Sequence, residues 1–431
     1  MPKQSNWLIL SHGFNMDGRA ASQTITDKIP FLIDEGVHPV AISAVTGSKD
    51  KIIPHYQTLP FAGAGLRFDL RHYLKYRIKN KVIYKILMGV ISLILLPFIG
   101  LEKLFFGLQS QASWSITAFM RSLWLIKKHD INLIYSTGGA YSAHLTALWL
   151  KKITNLPWIA EIHDPMIQPG TIPQTRDQKF QTSLEKNICQ HGDLIWWFTE
   201  GALLSAQMRC PELKDKGIVI IPGATPPDIK GKYLRSKFLN ISHFGSLSET
   251  RSLAPFLKGL SSCIQSGSIP KNIVKVHIYG GKIDRLSKVL INKLKLEHSV
   301  IEHSRLEFDP IKNLSGREQV ILKMQESDCL LLMHGEIPEC SEYIPSKVYE
   351  YFWAERPIMG ITHNNTQLDD LIRQRNGFVA HTSNQDSIIK ELKKIYQLWT
   401  ADQLFAKTNP IGVEQAVKEI VHHCKIRDLI K

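Results

Sequence analysis

The sequence predicts an α/β protein made of two doubly wound parallel sheets. Two observations predict it. Short apolar runs alternate with helix-period segments along both halves of the chain. A stretch with three prolines and two glycines, residues 222–233, separates two alternating series of similar size. A length of 431 residues allows two domains with separate cores.

In the first series, residues 8–10, 40–44, 133–135, 158–162 and 194–198 read as buried strands, and 218–221 as another that ends in the Pro222-Gly223 turn. Helices fill 20–35, 115–129, 142–153 and 177–189. Thr199 and Glu200 suit the cap of a helix beginning near Gly201. In the second series, strands are expected at 238–244, 274–279, 329–333 and 357–361. The matching helices are 252–263, 284–295, 316–326, 345–354, 384–401 and 411–430. The domains are then 1–222 and 238–410, with a linker at 223–237 and a last helix over 411–431. Ligands of such sheets bind beyond the carboxyl ends of the strands. Two facing sheets would hold two substrates opposite one another.

Hydrophobic content of 44% and charged content of 21% are globular values. The net charge of +14 favours an anionic partner, and leaves nucleic acid, anionic lipid and phosphorylated ligands open. The six cysteines are scattered without a C-x-x-C pair and suit reduced thiols in the cytoplasm. No signal peptide is read ahead of the strand that starts at Trp7.

Residues 67–108 break the alternation. Arg67, Arg71, Lys75, Arg77, Lys79, Lys81 and Lys85 form a basic run with one acid, Asp69. A charge-free stretch, 86–101, follows. As a helix it reaches about 24 Å, short of the ~30 Å hydrocarbon core, and Pro97 and Gly100 weaken it. It is open to three readings: a span, a buried core helix, or an element lying in a membrane interface. The basic flank favours the interface, because polybasic stretches attract anionic lipid.

The most informative stretch is Ser-Glu-Tyr-Ile-Pro-Ser-Lys-Val-Tyr-Glu, 341–350. Pro345 suits a first helical turn and pushes Ile344 toward an extended conformation. Glu342 then precedes a helix that carries Glu350, and amides of Ile344, Ser346 and Lys347 border the helix N-terminus. A nucleotide diphosphate sugar fits this order, with phosphates at the amides and hydroxyls at the two carboxylates. Two solvated glutamates are the plain alternative, and Glu339 is a rival to Glu342.

The chain resembles the retaining glycosyltransferases of family four, which have the GT-B architecture of two facing Rossmann-like domains. The family's Glu-x7-Glu element matches Glu342 and Glu350. The Pro-Ser-Lys-x-x-Glu-Tyr variant, found in enzymes of surface-polysaccharide assembly, matches Pro345, Ser346, Lys347, Glu350 and Tyr351. The opening of the second domain matches His243-Phe-Gly-Ser-Leu247, with Arg251 in place of the usual phosphate-binding lysine. Gly13 and Gly18 match the glycine-containing loop after the first strand, and His163-Asp164 the strand-end pair near the transferred sugar. Asn376-Gly-Phe378 matches a further family element. One departure is Ser246, where the family often has arginine after Gly245; Lys347 is the candidate substitute.

The resemblance implies a retaining transfer from a nucleotide diphosphate sugar to a hydroxyl acceptor, without metal or cofactor. It assigns His163, Asp164 and Glu342 to catalysis, and Gly245, Ser246, Arg251, Ile344, Ser346, Lys347 and Glu350 to the donor. Gly13, Gly18, Arg19, Ser136 and Gly138 fall to the acceptor side. It also implies that the last helix returns to the first domain. The expected acceptor is a lipid-linked saccharide, reached from the cytoplasmic membrane face by peripheral contact through 67–108, with no nucleic-acid partner. A nucleotide-sugar 2-epimerase of similar fold, or an inactive basic membrane- or nucleic-acid-binding protein, is the alternative.

Overall fold

A computed structural model describes residues 5–16 and 19–430. They form two units, one running to Pro222 and resuming at Val413, the other Gly223–Gly412.

The first unit holds a seven-stranded parallel sheet: β1 (Ser5–Leu10), β2 (Val37–Ala44), β3 (His55–Thr58), β4 (Leu133–Gly138), β5 (Trp158–Ile162), β6 (Leu194–Trp197) and β7 (Gly217–Val219), in the order β3-β2-β1-β4-β5-β6-β7. The apolar runs of β5 and β6 are wholly buried, as strands covered on both faces must be. The order reverses direction between β1 and β4, so the loops after these two strands diverge and leave a crevice at their carboxyl ends.

Helix Val413–Ile426 belongs to this unit. Its residues Val413, Ala416, Val417, Ile420, Val421 and Cys424 recur at helical spacing and enter one core with Trp7, Ile9, Leu133, Ile159 and Trp196. The segment expected as one helix over 20–35 is two, Ala20–Thr26 and Ile29–Asp34. Pro30 cannot donate an amide back to the first of them, so it opens a new first turn. Lys28 falls at the junction.

Residues 63–105 form a helical hairpin, Gly63–Arg77 followed by Lys81–Phe105. The second helix runs through Pro97 and Gly100 for 25 residues, about 37 Å at 1.5 Å per residue. That overturns the length expected from 86–101 alone, since the polar ends extend the same helix. None of its residues is buried, which removes the core-helix reading. Leu93 is 72% exposed, Leu104 69% and Phe98 60%. The two helices meet where a Cβ on Gly63 would lie 3.1 Å from Phe98 Cβ, and the Ala64 amide donates to the Glu102 carboxylate at 2.8 Å.

The second unit holds a six-stranded parallel sheet: β8 (Leu239–Phe244), β9 (Val274–Tyr279), β10 (Val300–Glu302), β11 (Cys329–Met333), β12 (Ile358–Thr362) and β13 (Phe378–His381), in the order β10-β9-β8-β11-β12-β13. Its direction reverses between β8 and β11. Residues 223–237 belong with this unit: the Ala224 carbonyl accepts from Trp353 Nε1 at 2.8 Å, and the Tyr233 hydroxyl donates to Asp328.

Replacing Ile420 by alanine empties a wholly buried position and should destabilise the first unit by about 2–5 kcal/mol. Thermal unfolding followed by tryptophan fluorescence should show it as a lower midpoint, and an unchanged midpoint would contradict the role given to the last helix.

Candidate functional site

The sequence-predicted residues gather, unit by unit, at the two points where strand order reverses. In the first unit, β1 ends in the loop that carries Gly13, and the neighbouring β4 ends in Ser136, Thr137 and Gly138. Strand β5, next to β4, ends just before His163 and Asp164. The Ser11 hydroxyl donates to the Gly13 carbonyl at 2.9 Å, and Gly138, at φ +113°, sits where a Cβ would lie 3.4 Å from Ser11 Oγ. Gly138 thus brings the two loops together in a conformation that suits only glycine. Arg19 is exposed and precedes the first helix, and Asp164 is exposed. Gly18 lies outside the described residues.

Ser136 is a correction. It is wholly buried, accepts from Trp158 Nε1 at 2.8 Å and pairs with His144 Nδ1 at 2.9 Å. Alternation along β4 turns its side chain into the core, so its hydroxyl is not placed to take an acceptor. Burial, then the nearby His163, holds His144 down at about 3, so it is a neutral core imidazole.

Beneath His163 lies a polar cluster that sequence reading missed. The Glu161 carboxylate is fully buried and accepts from Lys28 Nζ, from the Tyr135 hydroxyl and, at 2.7 Å, from the Thr137 hydroxyl. Thr137 Oγ1 is also 3.0 Å from His163 Nε2, and Glu161 Oε1 is 3.5 Å from that nitrogen. Burial alone would raise the Glu161 carboxyl, but the Lys28 ammonium and His163 outweigh it and hold it well below the usual range. Burial and then the Glu161 charge push the Tyr135 phenol far up. A signal was present in the sequence: Glu161 interrupts the apolar run Trp158-Ile-Ala-Glu-Ile162.

In the second unit, β8 is followed by Gly245, whose φ of +137° favours glycine. Its amide donates to the Tyr279 carbonyl at 2.9 Å, and exposed Ser246 follows. Arg251 closes a tight turn with Ser248, and the helix expected from 252 starts only at Ala254. Ser252 is held out of that helix by its hydroxyl bond to Asp284, 2.8 Å. The Arg251 guanidinium donates to the Tyr343 hydroxyl at 2.5 Å. Tyr343 donates in turn to the His334 carbonyl, 3.2 Å, just beyond β11. The structure therefore joins Arg251 to the loop that carries Glu342.

Glu342 is 4% exposed and Ile344 is buried, while Ser346 is exposed. The helix expected from Pro345 begins at Lys347 and has seven residues. Pro345 initiates a tighter turn instead: the Val348 and Tyr349 amides already donate to the carbonyls of Pro345 and Ser346. Lys347 Nζ reaches Glu350 at 2.5 Å. His243, on β8, donates from Nδ1 to the Leu331 carbonyl at 3.0 Å. Burial, followed by the cations Arg251 and Lys347, lowers it to about 4. Arg251 is thus the cation on the β8 side, and Glu342, Lys347 and Glu350 stand on the chain that follows β11.

No protein-family model matches the chain, and no curated protein matches it. Solved structures do. Sucrose-phosphate synthase from Thermosynechococcus elongatus superposes with a TM-score of 0.58 at 12% identity, covering 99% of this chain and 97% of that one. Trehalose-6-phosphate synthase OtsA gives 0.59 at 13% identity, with 99% of both chains covered. WaaG, a glycosyltransferase involved in lipopolysaccharide biosynthesis, gives 0.54 at 12% identity, also over 99% of both. The chain shares their GT-B fold along nearly its whole length, as the sequence led us to expect.

His144 and His243 are held neutral in the fold at about 3 and 4, as are His277 and His334 at about 4, against an ordinary 6.5. Below that ordinary value the unfolded chain binds more protons than the folded one, so stability should be full above about pH 7 and fall as pH drops toward 4. Urea midpoints measured from pH 7.5 to 4.5 should decline, and His243→Asn should flatten the decline. Midpoints that rise on acidification would contradict the buried neutral histidines.

Proposed function

We propose that the protein transfers a sugar from a nucleotide diphosphate sugar to a hydroxyl of a saccharide acceptor, with retention at the transferred carbon. The observation that carries this reading is the meeting of Arg251, Tyr343, Glu342, Lys347 and Glu350 around the β8–β11 reversal of the second unit. That is where an open α/β sheet binds ligands. Two cations and two carboxylates suit a ligand with an anionic centre and hydroxyl-bearing ends. A relative of the same fold was solved bound with UDP-2-fluoro glucose, which supports the donor class.

In this reading Arg251 and Lys347 face the diphosphate and stabilise it as it leaves, without a metal ion. Glu350 takes ribose hydroxyls and Glu342 the hydroxyls of the donor sugar. The Gly245-Ser246 turn, with no side chain on Gly245, lets the backbone approach the phosphates. The Lys347–Glu350 pair is partly exposed, and such pairs are worth about 0–1 kcal/mol, so an arriving ligand separates them at little cost. On the first unit, His163, Asp164, Gly13 and Arg19 serve the acceptor side.

The acceptor we propose is lipid-linked and met at an anionic membrane surface on the cytoplasmic side. The support is the hairpin. Val82, Ile83, Ile86, Val90, Leu93, Ile94, Leu96, Phe98, Leu101, Leu104 and Phe105 are all exposed on one helix. So many exposed apolar side chains along one helix are rare on soluble surfaces. Arg67, Arg71, Lys75, Arg77, Lys81 and Lys85 flank it, each worth about 1 kcal/mol near anionic lipid.

Calorimetry with UDP and GDP should show binding, and Arg251→Ala should weaken it by about 2 kcal/mol, the low end for a hydrogen-bonded charge pair. No affinity for any nucleotide would refute the donor site. NMR of the sugar after incubation with donor alone should show no 2-epimer; its appearance would return the epimerase reading. Flotation with anionic vesicles should carry the protein, and the triple change Leu93→Glu, Leu96→Glu and Leu104→Glu should abolish that. Equal flotation of the variant would sink the membrane proposal.

A further inference from the structure

The hydrogen bonds under His163 determine where its proton sits. The Glu161 carboxylate can only accept, so the single hydroxyl proton of Thr137 is spent on Glu161 Oε2, 2.7 Å away. Thr137 Oγ1 then has only lone pairs to offer His163 Nε2 at 3.0 Å, and the second carboxylate oxygen lies 3.5 Å from the same nitrogen. Both neighbours of Nε2 are acceptors, so Nε2 carries the hydrogen. A neutral imidazole of this tautomer has its lone pair on Nδ1, and among the described residues Nδ1 has no hydrogen-bond partner. Phe198 packs against the ring, with centroids 4.9 Å apart and planes tilted by 35°.

We propose that Thr137 and Glu161 are positioning residues that lock His163 in the Nε2–H tautomer, so that Nδ1 presents a lone pair to a sugar hydroxyl. Lys28 is the third member of the lock. Its ammonium and the two hydroxyl donors keep the carboxylate ionised without contact with water, and an ionised carboxylate is what obliges Thr137 to donate. The hydroxyl gives its hydrogen bond to Nδ1, so the site favours a ligand that donates at this point over one that offers only oxygen acceptors, such as a phosphate. This deepens the transfer reading above and rests on it for the identity of the ligand. The tautomer itself follows from the cluster alone.

The test has two separate readouts. Long-range 1H–15N spectra of 15N-histidine-labelled full-length protein, with His163 assigned by loss of its signals in His163→Gln, should show the Nε2–H pattern near neutral pH. Thr137→Val keeps the shape of the side chain and removes the hydroxyl; it should shift the signals toward the Nδ1–H form. Thr137→Ser keeps the hydroxyl and should restore the original pattern. In the transfer assay, Thr137→Val should lower kcat about 10- to 100-fold, as loss of a histidine-orienting partner does, with donor KM little changed, and Thr137→Ser should recover it. A wild-type spectrum of the Nδ1–H form, or a Thr137→Val protein with unaltered tautomer and unaltered kcat, overturns the lock. Wild-type protein with the Nε2–H pattern and no sugar transfer leaves the lock standing and overturns the assigned reaction instead. Should Thr137→Val not fold, the wild-type tautomer and the Lys28→Met protein, in which Glu161 can protonate and free the Thr137 hydrogen, decide the matter by the same spectra.

Discussion

A carboxylate that stays ionised away from water has to be surrounded by donors, and in the first unit Glu161 meets that requirement. Its donors come from three places in the chain: Lys28 at the break between two helices, and Tyr135 and Thr137 on the neighbouring strand. Removing one partner of such a buried pair leaves an uncompensated charge at a cost of about 3–5 kcal/mol. The cluster therefore ties β4, β5 and the 26–29 junction into one stiff block. His163 stands on that block, at the strand end where ligands of this fold collect. In the proposed transfer reading, stiffness below and an open nitrogen above suit a residue that meets one hydroxyl in one orientation.

The second unit follows a different logic. Its scaffold is just as rigid: the Tyr351 hydroxyl accepts from the Phe244 amide and donates to the Leu331 carbonyl, fastening the Lys347–Trp353 helix to β8 and β11. What stands on the scaffold is half-exposed and paired with itself, Arg251 with Tyr343 and Lys347 with Glu350. Each pair is cheap to exchange for a charged ligand. In the proposed reading, a site that accepts and releases a highly charged nucleotide gains from weak internal pairs, because strong ones would compete with the ligand.

The buried strands were legible because parallel sheets covered on both faces demand unbroken apolar runs, as in Cys329–Met333 and Leu194–Trp197. Of the four edge strands, β7 was read, at 218–221, and the other three were not. His55–Thr58 is polar and Val300–Glu302 is three residues long, so neither carries a period. Phe378–His381 was hidden behind the Asn376-Gly turn. The donor-side candidates were legible as a spacing around Pro345, but the link from Arg251 to Tyr343 crosses 92 residues and leaves no local trace. The same holds for Lys28 and Glu161, 133 residues apart. Ser136 misled because strand alternation, which decides its direction, is masked where both faces of a strand are buried.

The hairpin at 63–105 is built into the first unit by more than its loops. Asp69, on its first helix, is wholly buried and meets His12 Nε2 at 3.3 Å, in the loop that leads to Gly13. Burial raises the Asp69 carboxyl, and His12 opposes that rise. His12 itself lies edge-on to Trp114, ring centroids 5.5 Å apart. The polar face of the hairpin is thus anchored in the protein core beside the first strand, while its apolar helix is left entirely outside. A helix satisfies its own backbone and can enter hydrocarbon without partners, whereas the loop it is anchored to cannot. The Asp69–His12 contact therefore sets the direction of the exposed helix relative to the loop at the end of β1.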